Sequence, residues 1–264
     1  MSKNQLTKTQ ELKKVLEQDS VREQFENALD ENAGAFISSI IDLYNNDNYL
    51  QKCKPQNVVM EALKAATLKL PINKQLGFAY IVPYSNQPEF QIGYKGYIQL
   101  AMRTGKYRHI NADGVPKEID VEKDLLTGEI EFKGDPNEME SDEYQGYFAH
   151  IELINGFTKT LYMTEKEVRD HAKEYSESYS YDSSPWQTEF DKMAKKTVLR
   201  QLLSKYGIMS TEMITAFNQD ANYSTEEKVA HEIDQNANEE VIDVEVEEDL
   251  EPTGTGGAPK EPDF

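Results

Sequence analysis

Apolar residues recur at helical spacing in three stretches of the first third of the chain. In residues 11–29 this spacing is loose and mixed with charge, which predicts one surface or partner-contacting helix with a modest share of the core. Residues 35–43 are denser in apolar side chains and predict a short buried helix. A third helix is predicted from Pro55, which suits a first turn, to about Leu70, where Pro71 ends it.

Residues 76–84 alternate between two faces, and this period of two predicts a β-strand. One face holds Leu76, Phe78, Tyr80, Val82 and Tyr84, and the other holds Gly77, Ala79, Ile81 and Pro83. Residues 85–88 supply a turn, and residues 89–92 return as the second strand of a hairpin. The hairpin leads into a helical pattern over residues 95–104. Gly105 follows it in the usual position of a glycine after a helix.

Further strands are predicted in the middle of the chain, at residues 109–112, 117–122, 129–132, 144–153 and 157–163. Thr127-Gly128 turns between the second and third of these strands. The last two form the clearest hairpin of the chain, because Asn155-Gly156 between them suits a two-residue turn with positive φ.

Two helices are predicted after these strands. Thr164 and Glu167 form a capping box for a helix to about residue 175. Ser184 as N-cap and Pro185 as first residue begin a long helix that continues through Tyr206. The whole pattern predicts an α+β fold, a mainly antiparallel sheet or set of hairpins packed by helices.

Composition divides the chain into three parts. With 264 residues, 38% of them hydrophobic, the chain can bury one sizeable core, assigned to residues 33–218. Residues 1–32 are predicted to be an N-terminal helical segment, and either contact with another protomer or packing on its own domain explains its apolar positions. Residues 219–264 contain 15 acidic residues and few large apolar ones, which predicts a disordered acidic tail.

Cysteine usage and hydropathy indicate an intracellular protein. Cys53 is the only cysteine, so the chain forms no internal disulfide. No apolar run approaches the length of about 18 residues that a membrane span requires. The N-terminus is also too polar for a secretory signal. We therefore expect a cytoplasmic protein that does not bind membranes.

Charged residues are distributed unevenly along the chain, which the net charge does not show. A net charge of -20 and a pI near 4.6 argue at first against nucleic acid, whose binding depends on Lys and Arg. However, residues 51–110 hold nine basic and two acidic side chains, and residues 192–218 hold five and one. Two basic blocks therefore lie among acidic ones.

Residues 91–110 combine cations, glycines and tyrosines without a single acidic residue. They are Lys95, Arg103, Lys106, Arg108, Gly93, Gly96, Gly105, Tyr94, Tyr97 and Tyr107. Cations neutralise phosphates, aromatic rings stack on bases and glycine allows close approach of the backbone, so the combination is typical of a groove for single-stranded nucleic acid. The same residues also suit a half-buried strand and helix with core tyrosines and solvated cations.

The second basic block lies on the long predicted helix. Lys192, Lys196 and Arg200 recur at i, i+4 and i+8, so they share one sector beside a broad apolar face. Trp186 and Phe190 begin this helix, where aromatic residues are more often part of the core than stacked on bases. Folding both basic blocks against one sheet would give a positive groove of the kind that single strands occupy.

Catalytic motifs are absent from the sequence. The histidines, His109, His150, His171 and His231, show no metal-site spacing, and the chain has no Walker loop, GxSxG or HExxH motif. Asp113, Asp120 and Asp124 could form the metal cluster of a nuclease, although isolated carboxylates near turns are usually solvated. We predict no catalytic residue, no metal ligand and no cofactor.

Three segments resemble the RecT family of phage single-strand annealing proteins, in the order and spacing of that family. They are LPINKQLGFAYIVPY, IGYKGYIQLAMRTGKYRHI and WQTEFDKMAKKTVLRQLLSKYG, and the resemblance runs from about residue 35 to about residue 208. It implies an ATP-independent recombinase that coats single-stranded DNA as a ring or helical filament and anneals complementary strands in homologous recombination.

The resemblance also implies which residues line the DNA groove: residues 74–84, residues 93–108 and the helix of residues 192–205. The candidate DNA-binding residues are Lys74, Phe78, Tyr94, Lys95, Gly96, Tyr97, Arg103, Lys106, Tyr107, Arg108, Trp186, Lys192, Lys195, Lys196, Arg200 and Lys205. The cations would contact phosphates. Tyr94, Tyr97 or the hairpin with Phe78 would stack on bases or wedge between them.

The partners implied by the resemblance are single-stranded DNA, annealed duplex, further copies of the chain and an exonuclease. The last four residues, Glu261-Pro262-Asp263-Phe264, are similar to the acidic tip of bacterial single-strand-binding proteins, which adds a host protein of that kind as a candidate partner. Two other functions remain open. One is a metal-dependent nuclease of the same phage module, and the other is a purely protective coat on single strands.

Overall fold

The N-terminal third of the chain is helical, as its apolar spacing predicts. The computed structural model describes residues 7–84, 86–134, 143–176, 178–182 and 184–220. The first four helices are α1 (Lys8–Leu16), α2 (Asp19–Leu29), α3 (Ala33–Asn45) and α4 (Pro55–Thr67). Most of the predicted acidic tail, residues 221–264, lies outside the described residues, whereas Gln219 ends a helix and Asp220 is buried. Residues 135–142, in the acidic stretch GDPNEMESDE of residues 134–143, also lie outside them.

The prediction of one peripheral helix over residues 11–29 is wrong. Gln18 has an extended backbone, with φ -66° and ψ 131°, and this divides the segment into α1 and α2. Both helices pack on α4. Leu12 and Phe25 are fully buried in the same cluster as the rest of the core, so this segment contributes substantially to it.

In the described part of the chain, the remaining elements are two strands, one helix, five further strands and four helices. They are β1 (Ala79–Tyr84), β2 (Gln87–Ile92), α5 (Tyr94–Arg103), β3 (Tyr107–Pro116), β4 (Asp120–Lys123), β5 (Ile130–Lys133), β6 (Tyr144–Leu153), β7 (Thr158–Thr164), α6 (Glu165–Tyr175), α7 (Pro185–Thr188), α8 (Phe190–Tyr206) and α9 (Thr211–Gln219). No helix within the described ranges is long and apolar enough to cross a membrane.

The strands form three small sheets, and every pairing among the described residues is antiparallel. β1 pairs with β2, β4 pairs with β5, and the third sheet has the order β3-β6-β7. Gly156 has a φ of 87° in the turn between β6 and β7, and the capping box of Thr164 and Glu167 begins α6. The predicted α+β fold with antiparallel hairpins is therefore confirmed.

The long C-terminal helix is interrupted where the sequence predicts continuity. Glu189 has φ -142° and ψ 45°, so α7 ends there and α8 begins in a new direction. Ser184 caps α7 as expected, by accepting a hydrogen bond from the backbone of Trp186. Helix α8 then packs on α5 and on the sheet β3-β6-β7, which brings the two basic blocks of the sequence together.

Candidate nucleic-acid interface

A pocket of about 290 Å³ lies where the first hairpin, the beginning of α5 and the region of α7 and α8 meet. Its lining comes from three stretches that are far apart in the sequence. Among its residues are Lys74, Tyr80, Val82, Gln91, Gly93, Tyr94, Thr188, Glu189, Lys192, Met193 and Lys196. The structure therefore brings residues of all three segments of the family resemblance to one place.

Two glycines allow the backbone before β1 to cross the start of α5. A Cβ atom on Gly96 would lie 2.2 Å from the carbonyl oxygen of Phe78, and one on Gly93 would lie 2.2 Å from that of Gly77. The Gly93 amide also donates a hydrogen bond of 3.0 Å to the carbonyl of Phe78. Gly96 is thus buried beneath Phe78, and its role in the structure is close packing.

Three lysines with exposed side chains lie at or beside the pocket. Lys74 forms an ion pair of 2.7 Å with Asp47, and Lys192 forms one of 2.6 Å with Glu189. Lys95, in the first turn of α5, has no carboxylate partner within the described part of the chain. Both sides of the Lys192–Glu189 pair are exposed, and such ion pairs contribute little to stability, so a phosphate can replace Glu189 at low cost. Asp47 is largely buried, and the 54% exposed side chain of Lys74 is open to a further partner.

Two tyrosine rings line the same pocket. Tyr80 projects from β1 and Tyr94 from the start of α5, and both are half-buried. Burial raises the pKa of the Tyr80 hydroxyl, so this group stays neutral at physiological pH and can donate a hydrogen bond. Phe78 is half-buried against the core and does not line the pocket.

Three other predicted DNA-binding side chains lie in the interior. Lys196 is 3% exposed and Arg200 is 6% exposed, while Tyr97 is fully buried. The carboxylate of Asp220 lies 2.8 Å from the Lys196 ammonium and accepts a hydrogen bond of 2.8 Å from the Tyr97 hydroxyl. The Arg200 Nε donates to that hydroxyl at 3.3 Å. This buried network leaves Tyr97 no ring face for a base.

The buried network has strongly perturbed ionisation. Burial raises the pKa of Tyr97 well above its ordinary value, and the charge of Asp220 adds to this shift. Burial lowers the pKa of Lys196, while Asp220 opposes that shift. Lys196 borders the pocket through the little of its surface that remains exposed, but its ammonium is held by Asp220.

Arg103 and Trp186 also have partners inside the fold. The Arg103 guanidinium donates hydrogen bonds of 2.6 Å and 2.8 Å to the carbonyls of Leu68 and Lys69, the last carbonyls after α4. Trp186 is 4% exposed and packs between the rings of Tyr179 and Phe190. The bonds of Arg103, an exposed side chain, fix the end of α4, whereas Trp186 packs in the core.

Lys195 has an intermediate environment. Its ammonium lies 2.7 Å from the carboxylate of Asp113 on β3, and its side chain is partly buried. Burial, the largest single influence, would lower the pKa of Lys195, but the hydrogen bond to Asp113 and the charge of Asp113 together with smaller contributions outweigh it, and the pKa is raised. Lys195 is therefore charged and joins α8 to the third sheet.

The remaining predicted residues lie at the C-terminal end of α8. A helix rises by about 1.5 Å per residue, so this end is about 20 Å from Lys192. Tyr107 donates a hydrogen bond of 3.0 Å to the carbonyl of Ile208, and Arg108 pairs with Glu152 at 2.6 Å. The Lys205 ammonium lies 5.5 Å from the ring centroid of Tyr206. Lys106 is exposed in the turn before β3.

Sequence reasoning did not single out one residue in each of three places: the pocket, the far end of α8 and the buried network. Tyr80 was detectable, because it shares one face with Phe78 in the alternating pattern of residues 76–84. Lys159, whose ammonium lies 5.4 Å from the Tyr206 ring centroid, belongs to the far end of α8 although it comes from β7. Asp220 gave no local signal, because its partners lie on α5 and α8.

Two of the three carboxylates considered for a metal cluster, Asp113 and Asp124, have other partners. Asp113 pairs with Lys195, and Asp124 accepts hydrogen bonds from the turn that follows it. Among the described residues, no group of three or more His, Cys, Asp or Glu side chains is placed to hold a metal ion.

The fold and the pocket define an α+β protein with a lysine-rimmed, aromatic-lined surface. Residues 34–242 match the model of the RecT family. The chain is 44% identical over 235 residues to the uncharacterized protein YqaK of Bacillus subtilis (strain 168), covering 89% of this chain and 79% of that protein. It is 29% identical over 185 residues to protein RecT of Escherichia coli (strain K12), covering 65% of each. The chain therefore belongs to the RecT family, and this membership implies single-strand annealing in recombination.

Proposed function

We propose that the chain binds single-stranded DNA along the pocket rim and anneals complementary strands without ATP. It would act as an oligomer, a ring or a filament, on DNA in the cytoplasm of a bacterial host. The observation that supports this proposal is the convergence of Lys74, Tyr94 and Lys192, from three distant family segments, on one pocket.

The exposed lysines suggest how a strand is held. A phosphate would replace Glu189 beside Lys192, a second would bind the exposed side of Lys74, and Lys95 would bind a third. These contacts are independent of base sequence, so one site serves any strand. Tyr80 and Tyr94 present rings on which a base can stack. A strand held by its backbone keeps most base edges free to pair with a second strand.

The far end of α8 extends the proposed path. Lys106, Arg108 and Lys205 would contact phosphates about 20 Å further along the strand. The interior residues Tyr97, Lys196 and Arg200 have no direct contact with DNA in this proposal. An exonuclease and a host single-strand-binding protein remain proposed partners, on the resemblance and the tail sequence alone.

Annealing of two complementary, fluorescently labelled oligonucleotides tests the proposed function. The assay uses purified full-length protein without ATP over a salt series, and the length of both strands is checked on the same samples. We expect duplex to form faster than in the protein-free control while both strands stay intact. Shortened strands would establish a nuclease, and bound strands that anneal no faster would establish a protective coat.

A matched pair of lysine variants connects the assay to the pocket. Lys192 and Lys166 are both exposed helical residues with a carboxylate partner close in the sequence. Lys192 pairs with Glu189, the residue before α8, and Lys166 pairs with Asp170 on α6. Lys192→Ala should slow annealing at subsaturating protein, and Lys166→Ala should not. Equal rates for the two variants would place the DNA surface elsewhere.

A further inference from the structure

Tyr49 presents an exposed aromatic ring beside the rim of the lysine-rimmed pocket. The residue is 69% exposed, more than any other aromatic residue in the part of the chain that the structure describes. Single exposed apolar residues are ordinary on a protein surface, so exposure alone does not identify a binding residue. The hydrogen bonds and charges around Tyr49 distinguish it from such residues.

One carboxylate joins Tyr49 to the pocket rim. Asp47 accepts a hydrogen bond of 2.7 Å from the Lys74 ammonium through Oδ2, and one of 3.0 Å from the Tyr49 amide through Oδ1. Lys74 in turn lines the pocket. Burial would raise the pKa of Asp47, but the bond from Lys74 and those from the amides of Leu50 and Tyr49 outweigh it, and the pKa is lowered. The carboxylate is therefore ionised at neutral pH and keeps Tyr49 next to Lys74.

The segment that carries this tyrosine is fixed on the protein. Leu50, the next residue, is fully buried. The side-chain amide of Gln51 donates hydrogen bonds of 3.0 Å and 3.1 Å to the carbonyls of Tyr44 and Asn45, at the end of α3. The exposure of Tyr49 therefore results from the fold of this turn. A residue on an ordered segment loses less entropy when it binds a partner.

The Tyr49 ring already contacts one cation through its face. The Lys52 ammonium lies 4.6 Å from the ring centroid, within the range of a cation–π contact. Because 69% of the residue is exposed, most of the ring surface is open to a second stacking partner.

The stretch that includes this ring is rich in lysine. Residues 48–75 hold five lysines and one carboxylate, Glu61, which pairs with Lys64 at 2.8 Å. Lys52 and Lys54 are exposed and have no carboxylate partner within the described ranges. An exposed ring among cations suits a base of a single strand, because the phosphates of that strand neutralise the cations. An apolar protein surface would leave the ammonium groups without counter-charge.

We propose that Tyr49 stacks on a base of the single strand whose phosphate is bound at Lys74. Tyr49 would extend the row of rings that Tyr80 and Tyr94 begin at the pocket, and Lys52 would contact a neighbouring phosphate. Every base has a face that can stack, so this contact keeps the site independent of base sequence. The contact rests on the proposed function, because it requires a single strand along the pocket rim.

The variant Tyr49→Trp reports stacking directly. The one native tryptophan, Trp186, is 4% exposed, so the fluorescence that this variant adds comes from the surface. A base that stacks on an indole quenches its fluorescence, and we expect a short oligo(dT) to remove most of the added signal at saturation. The control is Leu126→Trp, because Leu126 is 95% exposed in the β4–β5 hairpin, whose residues 120–133 hold five carboxylates and two lysines. Its indole should keep its fluorescence with the same oligonucleotide.

Affinities for intact and abasic strands separate stacking from other roles of this residue. Tyr49→Leu should weaken the binding of oligo(dT) by roughly tenfold, because one stacked base is lost. Tyr49→Phe and Tyr49→Trp should bind like the wild type, because stacking needs the ring and not the hydroxyl. On a strand of the same length built only from abasic sugar-phosphate, Tyr49→Leu and the wild type should bind equally. Circular dichroism should show the same fold for every variant.

Three results would overturn the proposal. They are an unquenched indole in Tyr49→Trp bound to the strand, equal quenching in Tyr49→Trp and Leu126→Trp, and an equal loss of affinity by Tyr49→Leu on intact and abasic strands. The proposed function fails separately, because a wild-type chain that binds no single strand loses it altogether. A chain that anneals strands while Tyr49→Trp stays unquenched keeps the function and loses only the contact at Tyr49.

Discussion

The five cations of α8 fall into two groups with opposite environments. Lys192 and Lys205 lie at the surface, and Lys195 is partly exposed against β3. Lys196 and Arg200 lie in the interior with Asp220 and Tyr97. All five lie on one helix, so the spacing of the charges alone does not distinguish a DNA-binding residue from a structural one.

The difference between the groups lies in their partners. The ammonium of Lys192 pairs with an exposed carboxylate of the adjoining turn, and a phosphate can take that place. The ammonium of Lys196 pairs with a carboxylate that is itself buried, and separating the two would leave an uncompensated charge inside the protein. We therefore expect the interior cations to govern stability and the surface cations to govern DNA affinity.

The largest effect is expected for Lys196→Met. Loss of the ammonium breaks the buried 2.8 Å ion pair with Asp220, which should lower the free energy of unfolding by about 3–5 kcal/mol. Urea denaturation followed by circular dichroism measures this change. The double variant Lys196→Met/Asp220→Leu removes both charges and should recover most of the loss. If the single variant is as stable as the wild type but binds DNA more weakly, Lys196 acts in DNA binding and not in stability.

A smaller loss of stability is expected for Arg103→Ala. The guanidinium caps two carbonyls at the end of α4, and charge-assisted hydrogen bonds at a partly exposed site are worth about 1–2 kcal/mol in total. The same denaturation experiment detects this loss, while the salt dependence of DNA binding should stay unchanged. Unaltered stability together with a shallower salt dependence would instead identify Arg103 as a phosphate contact.

The smallest change in stability is expected for Lys192→Ala. Its side chain is 59% exposed and holds no element of the core, so urea denaturation should match that of the wild type. Affinity for a fluorescent oligonucleotide should fall by roughly fivefold, because one charged contact is lost. Fluorescence anisotropy measures this change, with Lys166→Ala as the control. A loss of stability in Lys192→Ala would remove the contrast between the two groups.

Local signals in the sequence predicted most of the elements. The Asn155-Gly156 turn and the capping box of Thr164 and Glu167 each depend on a few neighbouring residues, and both occur as expected. The breaks at Gln18 and Glu189 were missed because helical apolar spacing continues across them, while packing on α4 and on the third sheet decides the direction of each helix.

The candidate site was predictable as a set of blocks but not residue by residue. The family segments identified Lys74, Tyr94 and Lys192, which line one pocket. The burial of Lys196 and Arg200 depends on α9 and Asp220, which are distant in sequence and close only in the fold. Tertiary partners of this kind have no periodic signal, so charge spacing on α8 could not separate the two groups.

The central claim is that the exposed lysines around the pocket bind the phosphates of a single strand. The most direct test is the slope of log affinity against log salt for the wild-type chain and for Lys74→Ala/Lys95→Ala/Lys192→Ala. Each lost phosphate contact should reduce the slope by about 0.7, so the triple variant should lose about 2 in total. A control with three exposed lysines replaced elsewhere, Lys133→Ala/Lys166→Ala/Lys173→Ala, should keep the wild-type slope. If both triple variants keep it, the pocket rim is not the phosphate-binding surface.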